Sequence, residues 1–147
     1  CRIVWMEDAL YLKSFLDMEP SIRRLEQSQR EAVVFLGKVG VGISKEHLEA
    51  GQFSRYDCAF LLLDREDRFD GETHKLPEAL CARIRFRGSH PQAGAAYEKL
   101  LAFLRAHHFT ISGFSREVTM IDYGFTSNTR EFVTEISIPV SGCAERC

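Results

Sequence analysis

Two glutamates stand out by the company they keep. Glu117 opens the run Val118-Thr119-Met120-Ile121, and Glu135 lies between Thr134 and Ile136 in a run that ends Ile138-Pro139-Val140. Both segments are otherwise fit for burial. A carboxylate taken out of water is costly unless a donor or a cation compensates it. A cationic ligand would be one such partner, and a salt bridge to Arg83, Arg85 or Arg87 would be another. Strand alternation leaves a plainer reading open. Val133, Glu135, Ser137 and Pro139 share one face, so Glu135 can simply face solvent. A glutamate held near neutrality by burial can also serve as a general base, which would suit hydrolysis of a small electrophile.

Aromatic side chains are plentiful: eleven Phe, four Tyr and one Trp. Such rings bind flat or cationic molecules by stacking and cation–π attraction, although most rings in any domain are core. Trp5, Tyr11, Phe60, Tyr97, Phe114, Tyr123, Phe125 and Phe132 are the candidates to line a cavity. Trp5 and Phe132 lead because both sit on strands expected to face a central crevice. Other chemistries find no support. There is no Gly-x-Ser-x-Gly elbow, Ser-His-Asp order or phosphate loop. The glycine-rich stretch from Gly37 to Gly42 follows a helix instead of opening one, so it offers no helix N-terminus to a phosphate. The five cysteines are an odd set. Cys58 and Cys81 lie in apolar strand-like segments, and Cys143 and Cys147 lie in a polar tail. Their spacing, with His74, His90, His107 and His108, fits no common zinc pattern. No metal and no cofactor are expected, and the thiols suit a reducing, cytoplasmic setting.

The elements that must position these residues read as strand, helix, strand, strand, twice over. Residues 2–15 alternate as a strand with a bulge. Glu19-Pro20-Ser21 starts a helix that Gly37 and Gly40 stop. Short strands over 39–43 and 56–63 follow, with a polar turn or short helical piece at 45–51 between them and a charged loop at 64–72 after them. A strand over 80–86 begins the second round. Ser89 and Pro91 then start a helix with Ala93, Ala96, Tyr97, Leu100, Leu101 and Leu104 on one stripe. Strands over 109–121 and 132–140 complete it, with Gly113 inside the first. The fold class is therefore α+β: two pseudo-symmetric, SH2-like βαββ halves over about 2–66 and 76–140, a tail at 141–147, and one domain in all. Ligands often bind where two such halves meet.

Composition narrows the function classes. The chain has 147 residues, 45% apolar and 27% charged, with a net charge of −2. That is one ordinary globular core. It lacks the basic excess of a nucleic-acid-binding surface, so any DNA contact is expected from residues elsewhere. No run approaches the roughly 18 apolar residues of a membrane span. The chain opens on Cys1, not Met, with a strand almost at once, which suggests a longer chain with something upstream.

Three segments together resemble one family. They are Leu76-Pro77 through Cys81 to His90 with Tyr97-Glu98-Lys99-Leu100; Ile111-Ser112-Gly113 with Arg116-Glu117 and Ile121-Asp122; and Phe132 through Val140. In this order and spacing the chain is similar to the GyrI-like effector-binding domains found at the C-terminus of bacterial MerR-type and some AraC-type transcription regulators. The resemblance covers residues 2–140 and is strongest from Leu76 onward. It implies a central pocket, often multidrug-binding, with aromatic walls and a buried carboxylate. It implies a small hydrophobic or cationic ligand, DNA contact only through a missing N-terminal domain, no membrane, and a homodimer in the full-length protein. The chain departs from the family at Thr119, where an aromatic is common, and at Tyr123-Gly124-Phe125, where a turn with Pro is common. The ligand is therefore expected to differ from the bulky cations of the best-known relatives.

The expected function is ligand sensing and not catalysis. The expected ligand-binding residues are Glu135, Glu117, Trp5, Phe132, Tyr123, Phe60 and Tyr97. The alternatives are a stand-alone hydrolase of the same fold, with Glu117 or Glu135 as base, and a protein-inhibitor module whose surface does the work.

Overall fold

The computed structural model describes residues 2–11, 39–63, 73–88, 90–120 and 132–142. In chain order the elements are strand β1 (Arg2–Tyr11), β2 (Val39–Gly42), helix α1 (Lys45–Glu49), β3 (Arg55–Leu63), β4 (His74–Lys75), β5 (Cys81–Arg87), a 3₁₀ turn (His90–Gln92), α2 (Gly94–Ala106), β6 (Phe109–Ile111), β7 (Arg116–Met120) and β8 (Val133–Gly142). The helix expected after Pro20, the charged loop at 64–72, Ser89, Tyr123 and the tail cysteines lie outside the described residues.

The described strands form one eight-stranded sheet, ordered β4-β1-β3-β2-β7-β8-β5, with β6 paired to the far end of β8. Every recorded pairing is antiparallel. β1 pairs with β3 from Arg2 opposite Leu63 to Tyr11 opposite Arg55, and the register shifts between Glu7 and Leu10, where the sequence pattern predicts a bulge.

One face of the sheet is the main core. Val41, Ala59, Leu61, Leu63, Ile136, Ile138 and Val140 pack there with Leu48 of α1 and the stripe Ala96, Tyr97, Leu100, Leu101 and Leu104 of α2. That stripe follows the helical period, as its spacing predicts. The other face carries a smaller cluster, Cys58 and Phe60 with Leu62, Leu76, Phe114 and Val118 around them.

Sequence and structure part over residues 109–121. The pattern predicts one strand, and the structure has two, β6 and β7, separated by Ser112–Ser115. Opposite them on β8 stands Pro139, which has no N–H to give the ladder. Its carbonyl instead accepts Ser112 N–H at 2.9 Å. The detour delivers Ser115 to β2: Ser115 N–H donates to Ile43 O at 2.8 Å, and Ile43 N–H donates to Ser115 Oγ at 2.9 Å. The start of the second helix also differs. Pro91 lies in the 3₁₀ turn, and α2 begins after it at Gly94 with no side-chain cap.

Two glycines in β2 are required by closeness. A Cβ at Gly40 would lie 2.4 Å from the Phe60 ring, and one at Gly42 would lie 2.6 Å from Ser115 O and 2.7 Å from Cys58 Sγ. Gly42→Ala therefore pushes against backbone where β2 meets the segment leading into β7. It is expected to lose about 1–3 kcal/mol of stability in urea unfolding. Gly94→Ala, with nothing within 4 Å of the added carbon, is the matched control and is expected to leave the midpoint unchanged or higher.

Helix α1 is tied down by polar contacts. Asp57 of β3 accepts from Ser44 N–H at 2.8 Å and pairs with His47 Nδ1 at 2.9 Å. Partial burial pushes the Asp57 carboxyl up, but the hydrogen bonds from His47 and Ser44 outweigh it and hold the group below its usual value. The lock fixes the turn that leads through Phe53 and Ser54 to Tyr56.

Candidate functional site

Glu117 sits in the middle of the sheet. It pairs with Val41 of β2 on one side and Ile136 of β8 on the other, both apolar and buried. Its side chain is 0% exposed. Three groups from three other parts of the chain converge on it. The Tyr56 hydroxyl donates to Oε1 at 2.9 Å and Oε2 at 3.0 Å. The Tyr97 hydroxyl donates to Oε2 at 2.8 Å. His90 Nδ1 lies 2.6 Å from Oε1. The compensation that a buried carboxylate demands is thus supplied from within.

Hydrogen-bond accounting fixes most of the protons. The Gly88 carbonyl can only accept, so Thr134 Oγ1 donates to it, at 2.7 Å. Thr134 must then accept from Thr119, at 2.8 Å. Thr119 in turn must accept from His90 Nε2–H, at 3.2 Å. With Nε2 donating to Thr119, Nδ1 is the atom that meets Oε1 of Glu117. On the other side, Tyr97 uses its proton on Glu117 and accepts from Ser115 Oγ at 2.9 Å. The network runs without a gap from Gly88 to the Ser115–Ile43 clamp.

The two phenols are held protonated. Burial raises the Tyr56 hydroxyl far above its usual value, and the charge and hydrogen bond of Glu117 add to it. Burial does the same for Tyr97, with the charges of Glu117 and Tyr56 behind it and the Ser115 hydrogen bond opposing.

A cavity of about 260 Å³ opens over this network, lined by Phe53, Ser54, Tyr56, His90, Pro91 and Gly94. Two of its walls, Tyr56 and His90, are themselves partners of Glu117. The Phe53 ring stacks on Tyr97 at 5.3 Å between centroids and 7° between planes. A ligand here meets aromatic surface first, with Glu117 one layer behind.

The expected residues divide. Glu117 and Tyr97 come together at the site. Glu135 does not join them: as the neighbour of Ile136 it faces the opposite side of the sheet, where it pairs with Arg85 Nε at 2.7 Å. The salt bridge is made, but at the surface, with the Arg85 side chain 66% exposed, and not as the buried pair expected. Phe60 is fully buried in the cluster on that second face, edge-on to Phe114 at 6.4 Å. Phe132 is buried, and its carbonyl accepts Gly88 N–H at 2.7 Å, so it stands next to the network without lining the cavity. Trp5 pairs by backbone register with Phe60. Tyr123 lies outside the described residues. The sequence reading missed Tyr56, His90, Ser115 and Thr134. Thr119, read as a lost aromatic, is the acceptor that orients His90. No group of His, Cys, Asp and Glu among the described residues is arranged to hold a metal ion, and no helix among them is long and apolar enough to cross a membrane.

A search of curated proteins finds no match. Solved structures do match. The chain aligns with EcmrR in the cryo-EM structure of the EcmrR–DNA complex (EcmrR-RPo), with a TM-score of 0.68 at 14% identity. The alignment covers 97% of this chain and 54% of that one, so the chain spans about half of EcmrR's length. It aligns with the crystal structure of the EcmrR C-terminal domain with a TM-score of 0.61 at 12% identity, covering 97% of this chain and 92% of that one. At such identities the likeness is one of fold. The family model for the GyrI-like small molecule binding domain matches residues 15–141, and the chain belongs to the GyrI-like family.

Proposed function

We propose that this chain is the effector-binding domain of a MerR-type regulator, and that it senses a small hydrophobic cation at Glu117. The observation that carries the reading is the placement of Tyr56 and His90. Each holds the buried carboxylate on one side and forms a wall of the open cavity on the other. A cationic head that displaces either donor gains the carboxylate, and the ligand body stacks on Tyr56 and Phe53. At about 260 Å³ the cavity suits a compact ligand, smaller than the roughly 300–1,000 Å³ of drug-sized sites.

The site draws Phe53 and Tyr56 from the first half of the chain and His90, Tyr97 and Glu117 from the second. The strand order β1-β3-β2 followed by β7-β8-β5 supports two pseudo-symmetric βαββ units joined at β2 and β7. Ligand occupancy at that junction would alter the fit of one half against the other. In this reading a DNA-binding part elsewhere in a dimeric, cytoplasmic protein receives the signal, which accords with a fold-level likeness to a regulator seen on DNA.

Titration with compact hydrophobic cations such as benzyltrimethylammonium and phenethylammonium, followed by tryptophan fluorescence or calorimetry, tests this. Saturable binding is expected, and Glu117→Gln, which keeps the shape and removes the charge, is expected to weaken it at least about tenfold. Indifference to the whole panel, or equal affinity in Glu117→Gln, would overturn the reading.

Binding without turnover is part of the proposal. Both oxygens of Glu117 already accept hydrogen bonds from protein donors, which leaves poor capacity to activate a water. Glu117-dependent hydrolysis of an epoxide or ester panel, detected by mass spectrometry, would show instead that the site is catalytic.

A further inference from the structure

A second concentration of donors lies on the opposite face of the sheet. Cross-strand partners share a face, so Arg83 of β5, Ser137 of β8 and Arg116 of β7 stand in one row. The row is short of acceptors. Ser137 is 6% exposed, and its hydroxyl has no hydrogen-bond partner. Arg116 is half-buried and donates from Nη2 to Cys81 Sγ at 3.1 Å. A thiol sulfur is a weak acceptor for a guanidinium with five donors. Arg83 is exposed. The next residues along β5 on the same face are Arg85 and Arg87, and the one carboxylate in the register, Glu135, is taken by Arg85. Among the described residues of β5, β7 and β8, four arginines therefore share this face with one glutamate.

We infer that the Arg83–Ser137–Arg116 row is a binding site for a phosphate group. Neighbouring antiparallel strands hold paired Cα atoms about 4.5–5.5 Å apart, so the two arginines start about 10 Å apart with the serine midway. Two long side chains can close over an anion from either side while the hydroxyl donates from below. Three donors from three strands suit a group with oxygens in three directions, better than a planar carboxylate, and charge-assisted guanidinium–phosphate bonds are strong and directional. On binding, Arg116 exchanges its sulfur acceptor for oxygen, and the orphan hydroxyl of Ser137 gains a partner. The site is separate from Glu117 and stands or falls independently of the sensing proposal.

The test is titration of the full chain with sodium phosphate at constant ionic strength, followed by arginine Nε–H resonances in ¹⁵N-correlated spectra and by calorimetry. Saturable binding at a single site is expected. Arg83→Gln and Arg116→Gln are each expected to weaken it at least about tenfold, and Ser137→Ala about threefold. Arg83 is exposed, so Arg83→Gln keeps the test valid if an Arg116 variant folds poorly. Acetate is expected to bind at least about tenfold more weakly than phosphate, and Arg105→Gln on α2 is expected to change nothing. Glycerol phosphate in a parallel arm separates the sources: tighter binding than inorganic phosphate points to a phosphomonoester, and weaker binding to the free ion. Absence of saturation, equal response to acetate, or insensitivity to Arg83→Gln would overturn the site. Binding of duplex DNA that depends on Arg83, Arg85 and Arg87 but not on Ser137, with no response to phosphate alone, would overturn it in favour of a nucleic-acid backbone.

Discussion

Glu117→Ala is expected to cost about 3–5 kcal/mol of folding stability, the range for breaking a buried charged pair by removing one partner. The size follows from what the substitution leaves behind. Tyr56 and Tyr97 are each at most 1% exposed, and His90 is 2% exposed. All three spend a proton donor on this one carboxylate or share one with it. Each donor loses its acceptor at an almost fully buried position, and an unmade hydrogen bond there costs more than a made one gains. Against a total of about 5–15 kcal/mol for a domain, the loss is a large share. Thermal unfolding is expected to fall by about 10 °C, given the few degrees per kcal/mol typical of chains this long. Glu117→Gln keeps the shape and one acceptor oxygen but turns the other into an NH₂ that faces a donor. It should fall less than Glu117→Ala but still measurably, so its ligand binding is compared with the parent at a temperature where both are folded. An unchanged midpoint in Glu117→Ala would mean that the three donors find other partners, and that the network is not a folding determinant.

The same network marks the limit of what the sequence tells. Elements set by short-range patterning were legible: the α2 stripe, the alternation over β8, the bulge in β1. Glu117 was legible as a carboxylate in a run fit for burial, and Tyr97 as a ring on a core-facing stripe. The partners of Glu117 were not, because they arise from register. Tyr56 lies 61 residues away and His90 27 residues away, and nothing local to either announces the meeting. Glu135 looked equivalent to Glu117, since each sits among apolar neighbours. Only the pairing of Glu117 with Ile136 puts the two carboxylates on opposite faces, and a shift of one residue would have put both on the same face. Thr119 shows how a departure from family pattern can mislead. It reads as a missing ring, yet its hydroxyl is what sets the His90 tautomer. The split of β6 from β7 was likewise hidden, because the proline responsible lies on the partner strand.

Tyr56 and Tyr97 should make the fold sensitive to alkali. Free tyrosine ionises at about pH 10. In the fold both phenols are raised well above that, first by burial and then by the nearby charge of Glu117. A group whose folded value is raised holds its proton in the native state after the unfolded chain has released it. The stability it lends is complete below about pH 10 and drains away as the pH climbs beyond. Each pH unit above that point costs about 1.4 kcal/mol per tyrosine, so by about pH 12 the pair removes about 5 kcal/mol, as much as many domains possess. Two of the four tyrosines in the chain are therefore expected to stay un-ionised until the protein unfolds, and then to ionise together in one cooperative step. Phenolate absorbance and circular dichroism, recorded on the same alkaline titration, should show that step coincide with loss of structure. Tyr56→Phe with Tyr97→Phe leaves Glu117 short of donors and lowers stability at neutral pH, but it removes the tyrosine share of the alkaline slope, so the double variant should lose stability more gently between about pH 10 and 12. Smooth ionisation of all four tyrosines in a chain that keeps its fold would show that these hydroxyls are open to solvent and that Glu117 is not enclosed as described.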